Sequence, residues 1–158
     1  MSGAVLQVAV GILHSAKGGE ESLLLRRRAT LALVEFPGMW AFPGGKVDPG
    51  ESPGMALVRE IREECGVEVV AFERIGALSF EPPVTRGRFE LVYYDVLAFH
   101  GTPRAVEEDT HVLWASEALF TALRPKLTIG TTRLYDRSGV GRALFTSGGL
   151  PASARWTS

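Results

Sequence analysis

Glu60, Glu63 and Glu64 stand at relative spacings of 0, 3 and 4 in the run VREIREECGV. On a helix those three carboxylates become neighbours on one surface. Like charges so spaced oppose helix formation by about 0.2–0.5 kcal/mol per pair, so something must offset the repulsion. A hard divalent cation does this directly, because Mg²⁺ takes oxygen ligands and is commonly held by one or two carboxylates together with substrate phosphates. The competing reading of such a run is a solvated acidic face. Two features weigh against it. Glu64 projects beside Leu57 and Ile61, at the edge of an apolar stripe where an unpartnered carboxylate is costly. Arg59, one helical turn before Glu63, is in position to steady that side chain while leaving its second oxygen to a metal.

The element carrying these groups has clear ends. Ser52 is a good N-cap, Pro53 suits the first helical position and Gly66 falls where a C-terminal glycine cap belongs, so a helix is predicted between them. At about 100° per residue, Leu57, Ile61, Gly54, Cys65 and Val58 share one sector facing the core, and Glu60, Glu63 and Glu64 take the adjoining one. Upstream, AVLQVAVGILHS and LLLRRR read as two strands, joined by the turn chemistry of KGGEES into a hairpin. The Pro-Gly pairs around Trp40 and Phe42 predict a short extended piece inside a shaped loop. Downstream, VEVVAFERIGALSF and RFELVYYDVLAF read as long strands separated by EPPVTRG, and HVLW as a short one. Helical patterns follow at Ser116 to Leu123 and Leu127 to Tyr135. The sum is an α/β (α+β) fold with a mixed sheet. It forms one domain over residues 1–146, with a loosely ordered C-terminal tail over 147–158.

Composition permits this and excludes much else. A chain of 158 residues with 46% hydrophobic and 22% charged residues buries a core without disulfides or structural metals. Seventeen basic against eighteen acidic residues leave a formal charge of −1, which lacks the field a polynucleotide binder relies on. Cys65 is the single cysteine, so no intramolecular disulfide forms, and the expected compartment is the cytoplasm. Cys65 itself reads as a small buried thiol beside Ile61. The apolar stretch from Ala4 to Leu13 is far shorter than the roughly 20 residues of a membrane span; no membrane association is expected. His14, His100 and His111 show no ligand spacing.

Read in full, GGKVDPGESPGMALVREIREECGV resembles the Nudix box at each defining position: Gly45, Glu51, Arg59, Glu60, Ile61, Glu63, Glu64, Gly66 and Val67. The resemblance implies a Nudix-type α/β/α sandwich that hydrolyses nucleoside diphosphates linked to a further moiety, with Mg²⁺ or Mn²⁺ required. It also implies that Glu60, Glu63 and Glu64 ligate the metal, that the carbonyl of Gly45 adds a ligand, and that Glu51 and Arg59 orient the cluster. A bound cation would neutralise charge on the phosphates and acidify the attacking water. In the family the general base is a box glutamate or a glutamate on a loop outside it. Glu108 is the candidate for the latter, with Glu107 second, though Glu107 to Asp109 read equally well as an ordinary solvated turn.

Substrate contacts are read from residue type. Gly44 suits a loop where backbone approaches ligand closely. Arg28, on the same strand face as Arg26, and Arg86 are cations for phosphate, though each also suits a solvent-exposed salt bridge. Among Phe36, Trp40, Phe42 and Phe80, Trp40 is the preferred surface for stacking a base, though aromatics in this number are more often core. Pro82 resembles a marker of the family's ADP-ribose pyrophosphatases, or serves only to shape a turn. The expected partner is a small nucleotide: ADP-ribose, a nucleotide sugar, a dinucleoside polyphosphate or a nucleoside triphosphate. Homodimers are common in the family. The alternative is a nucleotide-sensing Nudix-like module that binds without hydrolysing.

Overall fold

The computed structural model describes residues 5–15, 20–26, 38–81, 87–137, 139–146 and 149–157. Among the described residues seven strands fall in two sheets: β1 (Val5–Leu13), β2 (Glu21–Arg26), β3 (Trp40–Ala41), β4 (Gly44–Lys46), β5 (Glu68–Phe80), β6 (Arg88–His100) and β7 (His111–Ser116). The larger sheet runs β4-β1-β6-β5 and the smaller β3-β2-β7. β1 and β6 are parallel, from Val5 beside Arg88 to Leu13 beside Val96, whereas β4 meets β1, and β5 meets β6, antiparallel. The predicted mixed sheet is thus present. Among the described residues no helix is long and apolar enough to cross a membrane.

The expected hairpin of the first two strands does not form. β1 has β4 on one edge and β6 on the other, so its main-chain groups are already paired and β2 joins the other sheet with β7 and β3. The two strands meet at an isolated bridge between His14 and Ser22. Local turn chemistry carries no information about strands that arrive later in the chain to occupy both edges.

Strand alternation sorts the core into two layers. Ala9 and Leu13 of β1, with Val92, Tyr94 and Val96 of β6, share a cluster with Leu57, Ile61 and Cys65 of α1 (Pro53–Cys65). Val10 and Ile12, with Phe89, Leu91 and Tyr93, face the opposite side, toward α2 (Glu117–Ala122) and α3 (Ile129–Asp136). The helix ends are those the sequence predicts. Ser52 Oγ accepts from the Met55 N–H at 3.2 Å, Pro53 opens α1, and Gly66 closes it at φ +70° with its N–H on the Arg62 carbonyl. Ala56, outside the predicted core sector, is also fully buried, because α1 is flanked by β4 and β5 as well as β1. Gly11 lets the helix approach closely: a Cβ there would lie 2.6 Å from Ile61 Cδ1.

The tail departs from its expected looseness. Leu150 and Ala154 are buried in the main core cluster, Ala152–Ala154 forms a 3₁₀ turn, and the Trp156 N–H reaches the Ile75 carbonyl at 2.9 Å. Its Gly, Pro and Ser content argued for disorder, but Leu150, Ala154 and Trp156 supply enough apolar surface to dock it.

Leu57 is fully buried between α1 and β1. Leu57→Ala is expected to cost about 3 kcal/mol, read as a lowered urea midpoint with an unchanged slope.

Candidate active site

Arg59 lies at the centre of an acidic network. Its Nε and Nη2 both donate to Glu51, each at 2.8 Å, a two-pronged pairing stronger and more directional than a single contact. Nη2 also donates to the Lys46 carbonyl at 2.9 Å, and Nη1 to Glu60 at 2.9 Å and Glu63 at 3.3 Å. The guanidinium, aided by the Asp48 N–H, holds the Glu51 carboxyl down at about 2, and Glu51 with Glu60 pushes Arg59 above its ordinary value. One side chain therefore ties the loop before α1 and the end of β4 to two of the helix glutamates.

Glu64 has a different setting. It is 3% exposed and accepts from the Gly44 N–H at 3.1 Å, the main-chain partner that a buried carboxylate requires. Glu60 meets the same turn one residue further on: a Cβ on Gly45 would lie 2.2 Å from its carboxyl carbon. Gly44 itself has φ +156°, and a Cβ there would be 2.0 Å from the Ala9 carbonyl oxygen, so only glycine fits. Two carboxylates thus converge on the Gly44–Gly45 backbone. Glu63 is more than half exposed and faces Arg59. Among the described residues no three acidic, histidine or cysteine side chains are grouped closely enough to hold one ion. The donors present are all oxygen: Glu60, Glu64 and the nearby Gly45 main chain. That is the chemistry a Mg²⁺ or Mn²⁺ ion accepts when phosphates and water complete its shell.

Next to these groups opens a cleft of about 280 Å³. Gly44, Gly45, Lys46 and Glu60 form its polar end, and Phe80 with alternate residues of β1 and β6, including Phe89, Leu91 and Tyr93, an apolar wall. Thr128, Gly130 and Thr131 at the start of α3 face that wall. Tyr93, whose phenol is pushed above its ordinary value by burial, donates to the Gly130 carbonyl at 2.7 Å and joins wall to helix. The alternation of Phe89, Leu91 and Tyr93 is visible in the sequence. Which face of β6 opens onto a cleft is not, because α1 takes the other face only in the folded chain.

Other sequence candidates fall elsewhere. Met39 and Ala41 line the cleft, and Trp40 between them does not, since side chains alternate along a strand. Trp40 instead lies beneath the Arg26 guanidinium, 5.1 Å from its ring centroid, and its carbonyl accepts from the Thr128 N–H at 3.0 Å. It anchors α3. Glu107 and Glu108 are exposed and are not part of the cleft lining. The segment before them is tied to the end of α1 by the Arg104 N–H on the Cys65 carbonyl and the Val106 N–H on that of Glu64. Arg28, Arg86 and Pro82 lie outside the described residues.

Comparison with known proteins gives a consistent picture. A family model for the NUDIX domain matches residues 5–137. The CTP pyrophosphohydrolase of Escherichia coli (strain K12) is 42% identical over 110 residues, covering 65% of this chain and 79% of that protein. An 8-oxo-dGTP diphosphatase of the same strain is 37% identical over 78 residues, covering 49% of this chain and 57% of that relative. The crystal structure of the MutT NUDIX hydrolase from Burkholderia pseudomallei superposes with a TM-score of 0.68 at 26% identity, over 83% of this chain and 95% of that one. The MutT protein of Methanosarcina mazei Go1 gives 0.70 at 26% identity, over 84% and 91%.

The geometry makes Gly45 a sensitive test. A methyl there collides with the movable end of Glu60, so Gly45→Ala is expected to keep its melting temperature within about 2 °C, a shift of at most about 1 kcal/mol, while metal-dependent turnover falls at least about ten-fold. A variant with normal turnover would show that Glu60 need not approach the turn.

Proposed function

Because the chain belongs to the NUDIX family as a Nudix hydrolase, we propose that it cleaves the diphosphate linkage of a nucleoside triphosphate, releasing the monophosphate and pyrophosphate. The observation that carries this reading is the convergence of Glu60 and Glu64 on Gly44–Gly45 at the polar end of an apolar cleft. A base and sugar against the Phe80, Phe89 and Leu91 wall would bring the phosphates to Lys46, Gly45 and Glu60. At about 280 Å³ the cleft is near the lower end of small-molecule sites, which favours one nucleoside over a dinucleotide. The relatives named for CTP and 8-oxo-dGTP point the same way. ADP-ribose, toward which Pro82 pointed, is the competing substrate.

A Mg²⁺ or Mn²⁺ ion held by Glu60, Glu63, Glu64 and the Gly45 carbonyl would supply charge neutralisation at the phosphates and a more acidic water. This set needs Glu63 to turn from Arg59 toward its helix neighbours. The protein's own groups do the rest. Water attacks phosphorus, the bridging P–O bond breaks, and pyrophosphate leaves with that electron pair. Glu60, the box carboxylate that lines the cleft, is the nearer acceptor for the proton of the water than exposed Glu108. Arg59 and Glu51 hold the glutamates in place, and the Gly44 N–H fixes Glu64. The partner is a small nucleotide.

Two measurements test this. A panel of CTP, dCTP, 8-oxo-dGTP, ADP-ribose and a diadenosine polyphosphate, run with Mg²⁺ or Mn²⁺ and with chelator, is expected to give turnover of a triphosphate, lost on chelation. Preference for ADP-ribose would overturn the substrate assignment, and turnover in chelator the metal requirement. In the same assay Glu60→Gln and Glu64→Gln are each expected to lower kcat by at least about 100-fold, the scale of a lost base or metal ligand, with melting temperature retained. Glu108→Gln is expected to lower it by less than about ten-fold; the reverse ranking would move the base to the loop.

A further inference from the structure

The family match ends at residue 137, yet the chain beyond it packs into the support of the cleft. β5 is the edge strand of the larger sheet, and Trp156 attaches to it twice: its main-chain N–H donates to the Ile75 carbonyl at 2.9 Å and its indole Nε1–H to the Ala77 carbonyl at 3.1 Å. The indole lies on Gly76, where a Cβ would come within 2.2 Å of the ring, so this position of β5 is shaped for the aromatic. The Arg137 guanidinium sits over the same ring, 3.7 Å from its centroid. Arg137 caps the end of α3. One turn earlier on that helix, Arg133 lies 5.4 Å above the ring of Phe80, which lines the cleft.

The rest of the tail is tethered as well. Arg155 pairs with Glu73, and the Leu150 N–H donates at 2.9 Å to Asp95, a fully buried carboxylate. Leu150 and Ala154 share the apolar cluster of Leu134 in α3. The helix that brings Thr128, Gly130 and Thr131 to the cleft is therefore held over β5 by two guanidinium-ring contacts, and the tail supplies one of the rings.

We propose that the segment ending at Trp156 is a strap that sets the pose of α3, making Trp156 a positioning residue for nucleotide affinity; this rests on the cleft being the nucleotide site. Trp156 is not part of the cleft lining that includes Glu60, so its loss should loosen the α3 wall while leaving the chemistry intact. In Trp156→Ala, KM for the triphosphate best turned over in the panel is expected to rise about five- to twenty-fold, the scale of a lost cation–π contact and two weakened hydrogen bonds. Its kcat is expected to stay within about two-fold. Gly76→Ala, which displaces the indole while leaving the tail's own sequence unchanged, should reproduce the effect. Trp156→Phe, which keeps a ring beneath Arg137, should restore most of the affinity.

Amide hydrogen exchange adds a readout that needs no substrate. Residues 129–137 are expected to exchange faster in Trp156→Ala and Gly76→Ala, with β1 and β6 unchanged. An unaltered KM in folded Trp156→Ala, a fall in kcat at constant KM, or unaltered exchange in α3 would each overturn the strap. If the wild-type protein hydrolyses no nucleotide, the substrate reading fails by itself and the exchange measurement still decides whether the tail governs α3.

Discussion

A single guanidinium serving several acceptors underlies the organisation of this protein. Glutamates one turn apart on a helix repel one another, and a site that needs them together must supply a compensating charge in a fixed place. Arg59 does so from within the same helix. Its two-pronged pairing with Glu51 fixes the plane of the guanidinium, which leaves Nη1 directed at Glu60 and Glu63. Lysine has no such plane and would offer a point charge without the fork. Glu51 also accepts the Asp48 N–H, so the loop entering α1 is ordered by the same interaction.

The backbone opposite the helix is the second constraint. Gly44 and Gly45 belong to β4, which pairs with β1 at Val10 and Ala9, and α1 packs on β1 across Gly11. Positions without a side chain let strand and helix close to the distance at which Glu64 meets a main-chain N–H and Glu60 meets Gly45. Burial of Glu64 is tolerable because that N–H is supplied by the approach itself. Packing and site chemistry are thus one arrangement: the apolar stripe of Leu57, Ile61 and Cys65 seats the helix, and its seating sets where the carboxylates fall.

The cleft lies on the opposite face of the same sheet. Along β6, Val92, Tyr94 and Val96 serve the α1 layer while Phe89, Leu91 and Tyr93 serve the cleft. The polar end of the cleft is built by β4 and α1 and the far wall by α3, so the two can vary separately. The Trp40 carbonyl and the Tyr93 hydroxyl hold the start of α3, and the tail holds its end. Such division places the glutamates in a local unit and the cleft walls in contacts between distant segments.

The local unit is what the sequence alone determined. Ser52, Pro53 and Gly66 mark both ends of α1 through capping chemistry that involves only near neighbours, and the spacing of Arg59, Glu60, Glu63 and Glu64 places them on one surface by helical geometry. Interactions closed within a few residues can be read from a string of residues. Tertiary structure decided the rest, because each remaining choice depends on which segment occupies a given edge or face. It assigned β1 to β4 and β6 rather than to β2, turned Met39 and Ala41 rather than Trp40 toward the cleft, left Glu108 exposed outside it, and docked a tail whose composition suggested looseness. In every case the residue types permitted more than one partner, and the competition was settled by edges and apolar surfaces contributed from far along the chain.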